Sequence, residues 1–351
     1  MSFLWDYLFY GERYMNSNKI KTALLLLYLG MIISISNGCP CPCGSTPPNF
    51  ITSLWYDAPS DELYVLKDNQ ILVFNKASTV NGHLSPNRII SMPKTYAPGS
   101  YCSYCVPAMW FDSASNELFV LSKYAASVLV FTDATTANGN VTPARVISGT
   151  TTELNWPSNL WFDAQSNQLY VNNSYNILVF TDATTAQGNI APTRVISSTT
   201  ATPKANVPAS LWLDSTSNQL YVGITNNSIL VFTDASTVSG TVAPARTITS
   251  TALYALPRWL WFDTISNQLY VSTGYGGILA FTDATTINGN ITPAKIISAN
   301  QFIYNGPLWL DSASDELYVA NQDSKGQVSI LVFDNASTIN GKVTPSRILY
   351  P

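Results

Sequence analysis

Apolar residues recur along this chain in short runs bounded by Asn, Ser, Gly and Pro, and no helical stripe long enough to compete follows residue 38. The runs come four to a unit. In one unit they are NLWFD (159–163), QLYVN (168–172), ILVFTD (177–182) and TRVIS (193–197). These are rich in the β-branched and aromatic residues that strands favour. The wording repeats: LWFDAQSNQLYV (160–171) returns as LWLDSTSNQLYV (211–222) and as LWFDTISNQLYV (260–271). Trp55, Trp110, Trp161, Trp212, Trp261 and Trp309 mark six units, spaced 48–55 residues apart. Periods near this length belong to solenoids, propellers and arrays.

Runs such as LWF and ILVF are apolar on both faces, so each sheet must be covered on both sides. Radial repetition does that and leaves only short, protected edges. The pattern therefore predicts an all-β, six-bladed β-propeller with four antiparallel strands per blade over 53–351. Its blades begin near 53, 108, 159, 210, 259 and 307. The first run opens at Ser53 and the last closes at Tyr350, so the ring closes unit against unit without exchange of strands between termini.

The series apolar–Asp, four-residue turn, LYV, ILVF resembles the NHL-repeat and YncE-like propellers of extracytoplasmic proteins, over residues 53–351. That resemblance implies the fold. It implies no single activity, because such propellers host lyases, lactonases, binding modules and scaffolds.

The N-terminal region reads differently. Lys19 and Lys21 precede TALLLLYLGMII (22–33), and SISNGC (34–39) follows. A basic start, a short apolar run and a small-residue exit describe a secretory signal peptide within 1–38. The run is shorter than the ~20 residues that span a bilayer. Met15 would start a signal of ordinary length, which makes 1–14 an extension from a misassigned start. Gly38-Cys39 resembles a bacterial lipobox, implying lipid on Cys39; Ser36 and Asn37 depart from that motif. The expected address is extracytoplasmic, lipid-anchored in the cell envelope or secreted, with membrane contact only through the lipid.

Residues 39–52 form a Cys/Pro-rich tail. With Cys39 acylated, Cys41, Cys43, Cys102 and Cys105 remain, an even number that suits disulfides in an oxidising compartment. A four-thiolate zinc site is the rival. Only 11% of residues are charged, net charge is −4, and no basic cluster lies beyond the N-terminus. Nucleic-acid binding is not expected.

Several polar positions repeat with the blades. Asp57, Asp112, Asp163, Asp214, Asp263 and Asp311 follow each Trp by two residues and are expected to hold tight turns rather than a metal. Asp133, Asp182, Asp234 and Asp283, replaced by Lys76 and Asn335 in the outer units, are expected to cap a short helical turn. Arg88, Arg145, Arg194, Arg246, Lys295 and Arg347 are expected as solvated rim cations, pairing with neighbouring acids.

Turns between runs one and two, and three and four, are nearly invariant and share one face. Connections between two and three, and the crossovers between units, diverge and share the other. Non-repeating loops on a rigid scaffold are where binding usually lives. There stand Tyr96, Tyr101, Tyr104, Trp156, Tyr254, Trp259, Phe302 and Tyr304, with Tyr124, Tyr175 and Tyr275 across from them. Tyr101, Tyr104, Trp156, Tyr175, Tyr254, Trp259, Tyr275 and Tyr304 are the candidate binding residues, for a protein or a glycan; core capping is the alternative role for these rings.

Catalytic constellations are not apparent. The only histidine, His83, lies in a repeating turn, so no Ser-His-Asp or Cys-His pair can be built. The first residues of the innermost strands (Ser53, Ala108, Asn159, Ser210, Trp259, Pro307) offer no carboxylate to a metal. No cofactor is expected. The sequence thus favours an exported binding or scaffold module, the alternative being a lyase- or lactonase-type propeller enzyme using loop acids such as Glu153 and Asp323.

Overall fold

Six sheets follow one another along the chain, the four antiparallel strands of each coming from one unit and ordered inside to outside in sequence. In the third blade the strands are Asn159–Asp163, Gln168–Asn172, Ile177–Thr181 and Arg194–Ser198, antiparallel and in continuous register. The protein is thus a six-bladed β-propeller. The computed structural model describes residues 50–67, 70–93, 95, 108–199, 208–253, 256–274 and 276–351. The signal region, all five cysteines, Tyr96, Tyr101, Tyr104, Tyr254 and Tyr275 lie outside the described residues.

Burial on both sheet faces follows from the ring. In the third strand of blade three, Ile177, Leu178, Val179 and Phe180 are all buried. The core is a succession of layers between neighbouring blades rather than one centre. Tyr64 and Leu66 of the first blade pack with Phe111 and Val120 of the second. Phe119 and Leu121 of the second pack with Phe162 and Leu169 of the third. Aromatic stacks mark these layers, with Tyr64–Phe111 centroids 5.0 Å apart and Phe119–Phe162 4.9 Å apart.

One element was not legible beforehand. Between its third and fourth strands each unit sends two or three residues back to the previous blade, where they add a short parallel fifth strand. Gly139–Asn140 pairs with Ile90 and Ser91, and Gly240–Val242 with Ile196, Ser197 and Ser198. In the second blade this contact shrinks to a single bridge, Ile147 to Gly188. Every outer edge is thereby partly covered by its neighbour, which blunts edge-to-edge pairing.

The ring closes with the same joint. Gly82–His83 pairs in parallel with Leu349 and Tyr350 of the last blade, and His83 stacks on Tyr350 at 4.8 Å. All four antiparallel strands of the last blade come from the last unit, as the sequence implies.

Candidate functional site

The repeating face is held by three sets of polar contacts, all structural. Each Asp that ends an innermost strand accepts a hydroxyl three residues on. Ser115 donates to Asp112 at 2.6 Å and Ser314 to Asp311 at 2.7 Å, with Ser166, Ser217 and Ser266 doing the same for Asp163, Asp214 and Asp263. Backbone amides of the turn add to this, as from Thr216 to Asp214 at 3.1 Å. Among the described residues, no three His, Cys, Asp or Glu side chains gather as a metal site.

The second Asp series does not cap with its side chains. Asp133, Asp182, Asp234 and Asp283 sit in left-handed conformation (φ 53–55°), as do Lys76 and Asn335. Their backbone carbonyls accept the bonds of the following turn, for instance from Thr136 and Ala137 to Asp133. Short polar residues tolerate this geometry best. The cap comes instead from the preceding turn. The Oδ1 atoms of Asp61, Asn116, Asn167, Asn218, Asn267 and Asp315 accept the backbone N–H of Ser78, Thr135, Thr184, Ser236, Thr285 and Ser337.

The rim cations are not solvated either. Arg88 reaches into the next blade and donates to the carbonyls of Ala134 (2.7 Å) and Ala137 (3.1 Å). In its own blade it pairs with Glu62 at 2.6 Å and lies 5.7 Å over the Tyr64 ring. Arg145, Arg194, Arg246 and Arg347 repeat the clamp, the last crossing the closing seam to Ala77 at 2.5 Å. The own-blade partner is Glu62, Glu117 or Glu316 in blades one, two and six, and Gln168 or Gln219 in three and four. Lys295 substitutes in the fifth blade, donating to Gln268 (2.6 Å) and to the Ser337 carbonyl. Desolvation holds its ammonium below the usual lysine range. The phenols beside the clamps are pushed up, chiefly by burial, at Tyr64, Tyr170, Tyr221 and Tyr318.

The variable face is built differently. At its centre the six repeating tryptophans meet in a closed collar. Neighbouring centroids are 4.2 Å (Trp55–Trp110), 4.0 Å (Trp110–Trp161), 4.1 Å (Trp161–Trp212), 4.3 Å (Trp212–Trp261), 3.9 Å (Trp261–Trp309) and 4.1 Å (Trp309–Trp55). Above the collar opens a cavity that Ser53, Asn159, Trp259 and Pro307 help to line. Trp259 therefore stands at the channel mouth.

Off the axis, the crossover into the third blade presents Trp156, 42% exposed and with φ +52°. The loop beneath it is tied down. Asn173 Oδ1 accepts from the Asn155 amide at 2.6 Å, and its Nδ2 donates to the Glu153 carbonyl at 3.0 Å. Ser174 donates to the Asn155 carbonyl, and Leu154 anchors in the core. Tyr124, 39% exposed, meets Trp156 edge-on at 5.9 Å, and Lys123 Nζ stands 5.7 Å over the same indole. Tyr175, 54% exposed, lies on the adjoining loop of the third blade.

The sequence-selected aromatics thus divide. Trp156, Tyr124 and Tyr175 face solvent. Phe302 caps the core against Phe333 at 5.7 Å, and half-buried Tyr304 packs on Phe50 at 5.3 Å. Among the loop acids, Asp323 accepts from the backbone of its own turn (Lys325 2.8 Å, Gln327 2.9 Å), while Glu153 is exposed beside Trp156. The collar and Lys123 are functional-face residues that the sequence reading passed over. The sixfold recurrence of Trp was visible, but its direction was not.

No family model and no curated protein matches the chain. Among solved structures it is similar to the crystal structure of Chaetomium thermophilum Raptor, with a TM-score of 0.56 and 14% identity, over 88% of this chain. The match spans 25% of that longer chain, and at this identity the likeness is one of fold alone.

Proposed function

We propose that this protein is an exported, lipid-anchored binding module of NHL- or YncE-like type that holds a partner protein on its variable face. The observation that carries the reading is Trp156. A large apolar ring exposed to water, in a backbone conformation that bulky residues avoid, costs on the order of 1–3 kcal/mol unless something else favours it. Here the surrounding hydrogen bonds fix the loop, so the ring is presented in advance of any contact. Rigid, pre-organised Trp and Tyr anchors flanked by a cation are what interface hot spots are made of. Cys39 acylation would tether the propeller to the envelope.

A photo-crosslinking residue at position 156, in cells, tests the site. The control is the same residue at position 265, where Ile265 is 76% exposed on the repeating face. A specific protein adduct from 156 and none from 265 is expected. Adducts from 265 alone, or from neither position, would overturn the reading. Cys39→Ser should move the protein from the membrane to the soluble fraction; unchanged fractionation would remove the anchor and leave the binding face standing.

A further inference from the structure

The collar and the mouth above it form a second site on the same face, separate from Trp156. Six centroids about 4 Å apart form a hexagon, and the radius of a regular hexagon equals its side; each indole therefore lies about 4 Å from the propeller axis. Neighbouring planes meet at 53–66°. That brackets a sixth of a turn, as six rings standing parallel to the axis require. Rings lying flat across the channel would be nearly coplanar. The channel is thus ringed by aromatic surface, and what enters the mouth meets the upper edges of the indoles.

The floor is sixfold, but the wall is not. The residues two before each collar tryptophan run Ser53, Ala108, Asn159, Ser210, Trp259, Pro307 around the ring. Blade five stands opposite blade two, so Ser53 and Asn159, which flank blade two, lie across the mouth from Trp259. Pro307 adjoins Trp259. One side of the mouth is therefore aromatic and apolar, the other a hydroxyl and an amide. Among the described residues, no ionisable side chain lines the cavity. Its volume of about 70 Å³ holds only a few waters, room for part of one sugar ring and not for a chain.

A second observation concerns the polar groups behind the wall. The position after each LYV-type triplet reads Leu66, Leu121, Asn172, Gly223, Ser272, Ala320. Glycine fits at 223 because a Cβ there would come within 2.4 Å of the Pro257 carbonyl. Asn172 pairs across the strands with Asn159, and Ser272 with Trp259, directly behind the wall. Both are fully buried, yet neither the Asn172 amide atoms nor the Ser272 hydroxyl has a hydrogen-bond partner among the described residues. A buried polar group without a partner is costly and is commonly met by bound water; neither side chain lines the cavity itself, so a guest would reach them only through such water.

We infer that this mouth binds a single neutral pyranose, its apolar face on Trp259, its lower edge over the rim of the collar and its hydroxyls toward Asn159 and Ser53. An uncharged lining gives no counter-charge to a cation or an acidic sugar, and a planar arene would leave the polar wall unmet. The full chain is titrated with glucose, galactose, mannose, N-acetylglucosamine and their methyl glycosides, following heat and tryptophan emission. Tetramethylammonium and indole serve as rival probes.

Saturable binding of at least one neutral sugar is expected, with a shift in emission from the collar. Trp259→Ala should weaken it at least tenfold and Asn159→Leu at least threefold, each variant keeping its wild-type circular dichroism. Trp156→Ala should leave it unchanged, which separates this site from the proposed protein-binding one. Binding of a rival probe in place of every sugar, no saturable binding at all, or sugar binding indifferent to Trp259→Ala would each overturn the inference.

Discussion

Arg88→Met should cost this fold more than Arg194→Met, although the two arginines hold the same place in their blades. Arg88 donates to two carbonyls of the next blade at 2.7 and 3.1 Å, and Arg194 does so at 3.0 and 2.6 Å. Each lies 5.7 Å over a tyrosine and 3.3 Å from its hydroxyl. The difference is the own-blade partner, Glu62 for Arg88 and Gln168 for Arg194. Losing the charge-assisted bonds across the seam costs about 2–3 kcal/mol in either case. Arg88→Met also strands a buried carboxylate. Removing one member of a buried pair costs ~3–5 kcal/mol in full burial. Here 14% and 10% of the two side chains remain exposed, so water recovers part of that. An excess of about 1–2 kcal/mol over Arg194→Met is expected. Adding Glu62→Gln to Arg88→Met should restore most of the excess, because Gln is what Arg194 already faces. Urea unfolding followed by tryptophan emission measures all three variants. Equal destabilisation by Arg88→Met and Arg194→Met, or no recovery from Glu62→Gln, would refute the charge-stranding argument.

Lys295→Arg should raise the free energy of unfolding in urea by about 0.5–1.5 kcal/mol, since a guanidinium can reach two carbonyls where the desolvated ammonium reaches one; a fall would mean that the fifth blade cannot seat the larger group. Burial raises the phenol pKa of Tyr64, Tyr170, Tyr221, Tyr270 and Tyr318. A folded-state pKa above the unfolded value gives stability that is complete below about pH 10 and declines as pH rises beyond it. Melting temperature should therefore fall steeply above pH 10, and Tyr170→Phe should flatten that fall. Asn218→Ala, which removes the amide acceptor for Ser236, should cost about 1 kcal/mol, while Asp234→Asn, where only the backbone carbonyl is used, should be nearly neutral; the reverse order by thermal melting would restore Asp234 as the cap.

The strands were legible because two-sided burial leaves a mark in composition. LWF and ILVF have no solvent face, and only stacked sheets bury both sides. The number of blades followed from where Trp recurs. What did not follow was direction. A recurring Trp occupies one equivalent place in every blade, but nothing in a period says whether that place faces the axis or a neighbour, so the collar stayed hidden. Arg88 and its equivalents follow a Pro on an outermost strand, which reads as an exposed edge. The short parallel strand from the next blade turns that edge into a seam and brings carbonyls within reach. A clue was present: Glu or Gln, then Tyr or Phe, then Arg or Lys recur together in all six units, as parts of one hydrogen-bonded unit would. The Asp-first turns misled because Asp is both a good cap and tolerant of left-handed backbone, and only the second property is used. At the candidate site the divergence of the loops was plain, whereas the separation of Trp156 from Phe302 and Tyr304 depended on which rings the core could absorb.

The central claim is that the divergent loops, and not the repeating turns, meet the partner. Hydrogen–deuterium exchange of the full chain, alone and with the protein retrieved through the position-156 crosslink, tests it most directly. Slowed exchange is predicted at residues 123–126, 153–158 and 172–176, with the turns that follow Asp57, Asp112, Asp163, Asp214, Asp263 and Asp311 unchanged. Protection confined to those turns, with the loops around Trp156 exchanging as in the free protein, would contradict it.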